Sequence, residues 1–310
     1  MLKLLTLNLW FSDKLRHART RAVLKLIEDE RPTVCCFQEV VPEVAQLLVR
    51  SLPGWSASDP GDGSTVAPYG VMTLVAPGTP ANFSFHKLPT RMWRWLLVAE
   101  LEGLAVGTVH LESLANHPVR EAQLEVCASV LRRHHDSVLV GDFNFDSERN
   151  FHPPHDPLEN EALAQRAPGF VDLWPVLHPG ERGLTFDSAI NPYLDQSEQM
   201  RYDRVIARLQ SWRATGIARV GHESVDPDGL TPQEQAELER PPTPPRPSRD
   251  LKPRDSPWEQ FPKEEEVASP ASKQSGLEET PPPRRGRLFL SDHFGLLATL
   301  VPATCAADDS

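Results

Sequence analysis

Several things are missing from these 310 residues, and each absence narrows what the chain can be. No apolar run approaches the length needed to span a bilayer. The N-terminal stretch LKLLTLNLWF is too short for a secretory apolar core, is interrupted by Asn8, and lacks a small-residue cleavage site. Cysteine is scarce: Cys35, Cys36, Cys127 and Cys305 show no metal-site spacing, and two lie inside apolar runs, so buried reduced thiols are expected rather than disulfides. Neither GxxxxGK[ST] nor GxGxxG occurs, which disfavours nucleotide-driven phosphoryl transfer. Positive charge is in deficit, with 32 Lys and Arg against 43 Asp and Glu and a net charge of -11. Such a balance argues against gripping a long nucleic acid by electrostatics alone, although a small polyanionic end-group still fits. The expectation is a soluble, monomeric, intracellular protein of the cytoplasm or nucleus.

What is present reads as alternating strands and helices. Residues 2–9 form a strand-like run, and 33–40, TVCCFQEV, form a second. Between them Leu15, Ala18, Ala22 and Leu26, with Val23 and Ile27, keep a helical period until Pro32 stops it. PEVAQLLVRSL opens on proline and reads as a helix. Further strands are expected at 71–76, 95–101, 104–111, 137–142, 202–207 and 289–301, with Val119, Gln123, Cys127, Val130 and Leu131 tracing another helix face. This pattern predicts layered α/β architecture with helices covering sheets.

Residues 222–286 break the pattern. They contain fourteen of the 31 prolines, few apolar residues and mixed charge such as KEEE at 263–266. Such composition cannot bury enough surface to offset its ordering entropy. The expectation is one catalytic domain, 1–221 plus 287–310, carrying a Pro-rich disordered insertion at 222–286. Within the insertion Pro241, Pro244 and Arg246 fit a PxxPxR ligand for an SH3-like partner. FHPPHDP, residues 151–157, holds His152, His155 and Asp156, and reads as a plain surface loop rather than a second metal site.

Polar residues end the apolar strands: Asn8; Gln38 with Glu39; His110 with Glu112 and Ser113; Asp142 with Asn144; Asp203 with Arg204; and Ser291, Asp292 and His293. One such ending is ordinary turn punctuation. Six of them predict one convergent site at a sheet edge. In VLVGDFNFDS, a continuing extended chain would put Asp142 and Asn144 on one face. Oxygen ligands without a Cys/His cage suit Mg²⁺ or Mn²⁺, and Mg²⁺ takes only one or two carboxylates, Glu39 first among the candidates. Asp142 would orient a water, and His293, held by Asp203, would face a phosphate oxygen. Together these predict metal-assisted phosphoester hydrolysis.

LNLW, FQEV, GDFN, RYDR and SDHFGLLA, in this order, resemble the motifs of the endonuclease/exonuclease/phosphatase superfamily. HLES at 110–113, REAQL at 120–124, VDLW at 171–174, LTFD at 184–187 and SDHFGLL at 291–297 are similar to its tyrosyl-DNA phosphodiesterase 2 branch. The resemblance implies a DNase I-like four-layer α/β sandwich, two central β-sheets flanked by helices. It implies Mg²⁺-dependent hydrolysis of 5′-phosphotyrosyl DNA ends, hence a role in DNA repair. It implies a core of Asn8, Glu39, His110, Asp142, Asn144, Asp203, Asp292 and His293, with Glu39 and Asp292 on the metal and Ser113 near the phosphate. Arg91, Arg94, Arg120 and Trp174 are expected to contact substrate, Arg91 and Arg94 from RMWRW, where cations alternate with tryptophans. Asp146 stands where that branch carries a basic residue. Two rivals remain open: the same machinery acting on RNA, a phosphoinositide or a sphingolipid, and a non-catalytic adaptor presenting the Pro-rich segment.

Overall fold

A computed structural model of the chain describes residues 1–150, 158–194, 197–225, 230–239 and 287–303. In chain order the elements are β1 (Leu2–Asn8), α1 (Arg16–Glu30), β2 (Val34–Val40), α2 (Pro42–Ser51), β3 (Ser56–Ala57), β4 (Gly70–Val75), β5 (Asn82–Lys87), β6 (Trp95–Leu101), β7 (Leu104–His110) and α3 (His117–Leu131). They continue with β8 (Ser137–Asp142), α4 (Ala162–Arg166), β9 (Val171–Asp172), α5 (Leu173–Leu177), β10 (Phe186–Asp187), β11 (Gln199–Met200), β12 (Asp203–Arg208), β13 (Trp212–Val220), α6 (Pro232–Glu239) and β14 (Gly295–Pro302). Among the described residues two six-stranded sheets result, ordered β13-β14-β1-β2-β4-β3 and β5-β6-β7-β8-β12-β9, beside a small β10-β11 pair.

Alternation along the strands builds the layers. Leu4, Cys36 and Val75 of one sheet face Val106, Val138, Val140 and Val205 of the other in a shared inner core. Their neighbours Leu5, Leu7, Cys35, Phe37 and Leu74 turn outward, against Val23 and Ile27 of α1 and Val44, Ala45 and Leu48 of α2. On the opposite side Val98, Val109, Leu139 and Ile206 meet Leu124, Cys127, Ala128 and Leu131 of α3. Helices, sheet, sheet, helices: this is the four-layer DNase I-like sandwich.

Pairing sets where the strands end. β1 runs parallel to β2, and β7 parallel to β8, while β14 and β12 are antiparallel partners of β1 and β8. The C-terminal ends of β1, β2, β7 and β8 therefore share an edge with the N-terminal end of β12 and the chain entering β14. Every polar strand ending named above falls there.

The reading from sequence missed the two-residue strands β3, β9, β10 and β11, and two longer ones, β5 and β13. β5 is an edge strand whose side chains are half-buried or exposed, so it lacks an apolar signature. β13 is nine residues of mixed polarity, bulged between Ala214 and Gly216. The insertion also differs from expectation at its start. Val225 bridges Leu288, and α6 packs Leu238 against Leu15, Ala18 and Leu288. A reciprocal cap explains that helix: Thr231 Oγ1 accepts from the Glu234 N–H at 3.3 Å, and Glu234 Oε2 accepts from the Thr231 N–H at 2.8 Å. Pro241, Pro244, Arg246, His152, His155 and Asp156 lie outside the described residues. No helix among the described residues is long and apolar enough to cross a membrane.

Candidate active site

The register lines up three buried residues on neighbouring strands. His110 of β7 pairs with Asp142 of β8, and Asp142 pairs with Asp203 of β12. Gly141 permits this crowding: it has φ 135°, and a Cβ there would collide with the Val109 carbonyl oxygen. Asp142 is then held by two donors, Asn8 Nδ2 to Oδ2 at 3.1 Å and the Asn144 N–H to Oδ1 at 2.9 Å. Oδ2 also faces His110 Nε2 at 3.5 Å and His293 Nε2 at 3.8 Å. Burial works against the Asp142 charge, but His293 and these hydrogen bonds outweigh it and hold the carboxyl below its ordinary range.

The two histidines sit in opposite electrostatic settings. His293 Nδ1 donates to Asp203 Oδ2 at 2.8 Å. Burial disfavours its proton, yet Asp203 and Asp142 overcome that and raise its pKa well above the usual value, so it is an imidazolium. Burial lifts Asp203 to about 6 despite that neighbour. His110 goes the other way: burial, then the Arg94 cation, hold it well below the ordinary histidine range. Arg94 Nη2 lies 3.2 Å from His110 Nε2 and donates to Ser113 Oγ at 2.9 Å. A guanidinium can only donate, so Nε2 is the acceptor and the neutral ring carries its proton on Nδ1.

Glu39 is placed by a distortion. The β2–β4 register shifts between Phe37 and Val40, and Glu39 has φ 55°, so the bulge re-aims its side chain. Its Oε2 accepts the Phe11 N–H at 2.9 Å. Burial, then the nearby Asp292 charge, push its carboxyl up to about 7, and burial likewise raises Asp292. Two carboxylates brought together out of water, each disfavouring the other's charge, suit a divalent cation. Among the described residues no group of three or more His, Cys, Asp or Glu makes a complete protein cage. The donor set fits Mg²⁺ or Mn²⁺, hard ions that accept one or two carboxylates and retain water.

Other expected residues lie elsewhere. Asn144 does not continue the strand: β8 ends at Asp142, and Asn144 has φ 56° in a turn, its Nδ2 donating to the Leu111 carbonyl at 3.0 Å. The shared-face argument therefore fails, and Asn144 instead ties two strand ends together around Asp142. Arg91 is exposed at the site's margin. Arg120 is not a substrate contact, because its guanidinium is buried on Glu159 at 2.5 and 2.9 Å and on the carbonyls of Glu112 and Leu114. Trp174 is core rather than substrate wall. Its Nε1 donates to the Glu181 carbonyl at 3.0 Å, its ring stacks on His178, and Gly183 leaves room for it. Asp146, the departure from the family pattern, caps a turn by accepting the Arg201, Glu148 and Arg149 N–H groups.

Three supporting residues were given no role of their own from sequence, Glu112 being named only as a strand ending and Thr185 and Asn191 not at all. Glu112, fully buried, accepts from the Arg91 N–H and Thr90 hydroxyl at 2.7 Å each and from Gln123 Nε2 at 3.2 Å. Thr90 in turn accepts the Arg94 N–H, so Glu112 orders the turn that aims Arg94. Thr185 Oγ1 accepts the Asp203 N–H at 3.0 Å, and Asn191 Nδ2 holds the Ser291 carbonyl at 2.8 Å. Glu112 and Thr185 lie inside HLES and LTFD, a signal that could have marked them; Asn191 has none.

Two stacked sheets with acids, amides and histidines gathered at one edge define a hydrolase of the DNase I-like kind. The chain belongs to the Endonuclease/Exonuclease/phosphatase family, whose model matches residues 5–293. Members of that family are phosphodiesterases, nucleases or phosphatases. No curated protein matches the chain. Among solved structures it is similar to TDP2 of D. rerio complexed with single strand DNA product, with 18% identity, TM-score 0.65, and coverage of 97% of this chain and 98% of that one. TDP2 from C. elegans gives 17% identity and TM-score 0.64 over 97% of this chain and 75% of that one. A Bacteroides thetaiotaomicron mannosyl-6-phosphatase gives 12% identity and TM-score 0.59 over 97% and 100%. At these identities the likeness speaks for the fold.

Proposed function

We propose that the chain is a divalent-metal-dependent phosphodiesterase that acts on DNA ends blocked by a 5′-phosphotyrosyl link. The observation that carries this reading is the buried Asp142 carboxylate, fixed by Asn8 and Asn144 and flanked by one charged and one neutral histidine. Glu39 and Asp292 would hold the Mg²⁺ or Mn²⁺ ion, which when bound supplies Lewis-acid stabilisation of charge on a phosphoryl oxygen.

The chain's own residues do the rest. Asp142, kept anionic, orients an attacking water, and its two donors leave it little freedom to turn. The His293 imidazolium, anchored through Nδ1, offers Nε2–H to a phosphoryl oxygen as charge builds there. Arg94 presents a fixed cation from the other flank, with Ser113 and neutral His110 beside it. Groups arranged to act as a unit predict a large loss of rate when any one is removed.

The DNA-end substrate is supported by the HLES, REAQL, VDLW, LTFD and SDHFGLL motifs and by the structural likeness to TDP2, one example of which is complexed with single strand DNA product. It is compatible with an acidic protein, because a single end-group needs a local cation such as Arg94 rather than a long basic track. Such a substrate would place the protein in the nucleus or cytoplasm.

The test is hydrolysis of an oligonucleotide bearing a 5′ phosphotyrosine, in Mg²⁺ or EDTA, with Asp142→Asn alongside. The 3′-linked isomer, an abasic duplex, an oligoadenylate and sphingomyelin complete the panel. Mg²⁺-dependent release of tyrosine from the 5′ link alone is the expected result. Turnover of a different panel member would overturn the substrate, and an undiminished rate in Asp142→Asn would overturn the mechanism.

A further inference from the structure

We propose that Arg19 is a positioning residue for the metal-binding carboxylate Glu39, acting through the backbone of the loop between β1 and α1. The inference rests on the reading of Glu39 and Asp292 as metal ligands.

Arg19 lies on the inner face of α1 and is 2% exposed. Its guanidinium spends its donors on main-chain carbonyls of one loop: Nη1 on Leu9 at 2.5 Å, Nη2 on Trp10 at 3.2 Å and Ser12 at 2.6 Å, and Nε on Lys14 at 2.9 Å. It also sits 4.9 Å from the Trp10 ring centroid. Four carbonyls converging on one planar fork fix the path of residues 9–14.

That loop needs fixing. Trp10 has φ 57° and Leu15 φ 50°, left-handed conformations that non-glycine residues adopt only where the surroundings over-determine them. Held in this shape, the loop points two N–H groups at the site. Phe11 donates to Glu39 Oε2 at 2.9 Å, and Trp10 donates to Asn8 Oδ1 at 2.9 Å, whose Nδ2 reaches Asp142. Glu39 itself sits at φ 55° on a bulge, so the Phe11 donor is part of what sets its carboxylate direction.

Charge alone does not explain the residue. A buried cation near Asp292 and Glu39 repels an incoming divalent ion, so electrostatics by itself predicts tighter metal binding without it. Burial lowers its pKa to about 10, which leaves it charged at neutral pH. The geometric role favours metal binding and the charge opposes it, which makes the two separable. Lysine keeps the charge and loses the fork; glutamine loses both charge and fork.

The experiment titrates the full chain with Mn²⁺ and follows the free-ion electron paramagnetic resonance signal. Wild type, Arg19→Lys, Arg19→Gln and Glu39→Gln are compared, each with its melting temperature. Misplaced outer partners typically weaken a metal site about 10–100-fold, and Arg19→Lys is expected in that range. Arg19→Gln should also bind more weakly, despite the removed repulsion. A lowered melting temperature with an unchanged Mn²⁺ Kd in Arg19→Lys, or tighter binding in Arg19→Gln, overturns the proposal. Unaltered Mn²⁺ binding in Glu39→Gln, or none in wild type, overturns the ligand reading and this inference with it. In turnover, a raised Mg²⁺ half-saturation with kcat recovered at high Mg²⁺ supports positioning, whereas an unrecovered kcat with normal half-saturation opposes it.

Discussion

His293 donates its Nδ1 proton to Asp203 at 2.8 Å, joining the chain that enters β14 to the first residue of β12. This one contact fixes which imidazole nitrogen faces Asp142, and it supplies the negative charge that keeps the ring protonated. Asp203→Asn is expected to lower kcat for the 5′-phosphotyrosyl oligonucleotide by about 10²–10⁴-fold, the range associated with losing a correctly protonated catalytic group. Steady-state kinetics beside the melting temperature would check it. A loss of stability with kcat intact would make Asp203 purely structural.

Glu112 orders the 90–94 turn from beneath, so its effect should reach Arg94. Replacing the carboxylate by an amide in Glu112→Gln puts a donor against the Arg91 N–H or the Thr90 hydroxyl. The cost to folding is expected at about 1–3 kcal/mol. kcat/KM should fall as Arg94 loses its aim, and chemical denaturation and kinetics on the same preparation would show both.

Asp172 provides a pH signature away from the site. Burial would raise its carboxyl, but Arg204 and Arg201 outweigh that and lower it below the ordinary value. Arg201 meets it with two nitrogens at 3.0 and 2.8 Å. A depressed folded-state pKa means its stabilisation is fully present above the unfolded value of about 4 and fades as pH falls through the folded value. Wild type should therefore melt well above Asp172→Asn at pH 7, with the gap narrowing below about pH 4. A gap constant with pH would refute the assignment.

Gly141 tests the crowding at the end of β8. Gly141→Ala combines a left-handed strain with a collision against the Val109 carbonyl, so a loss of about 3 kcal/mol or more is expected in urea unfolding. An alanine variant as stable as wild type would mean that β7 and β8 can separate without cost.

Much of the site was legible because its residues follow apolar runs. Asn8, His110 and Asp142 end strands that are mostly apolar, and a buried run closing on a polar group is visible without coordinates. The same logic failed at Asn144, where the extended period stops two residues early and a turn takes over. It failed for Arg120 and Trp174 because residue type cannot reveal a partner: Glu159 and the Glu181 carbonyl are 39 and 7 residues away in sequence. Arg19 was invisible for the same reason, sitting among the polar residues of an ordinary helix. The start of the insertion misled because composition averages over 65 residues, while α6 needs only a capped turn and one buried leucine.

By itself the sequence determined the layered α/β class, the order of most elements, the family motifs and the oxygen-rich chemistry, since apolar periodicity and residue type are local properties. Only the tertiary structure decided that Asp142 stands between two oppositely protonated histidines, that Glu39 is turned by a bulge, and that Arg19 clamps the loop facing it. Those are outcomes of burial and of contacts between residues distant in sequence. Their energies depend on which groups folding brings together out of water, and no local pattern carries that information.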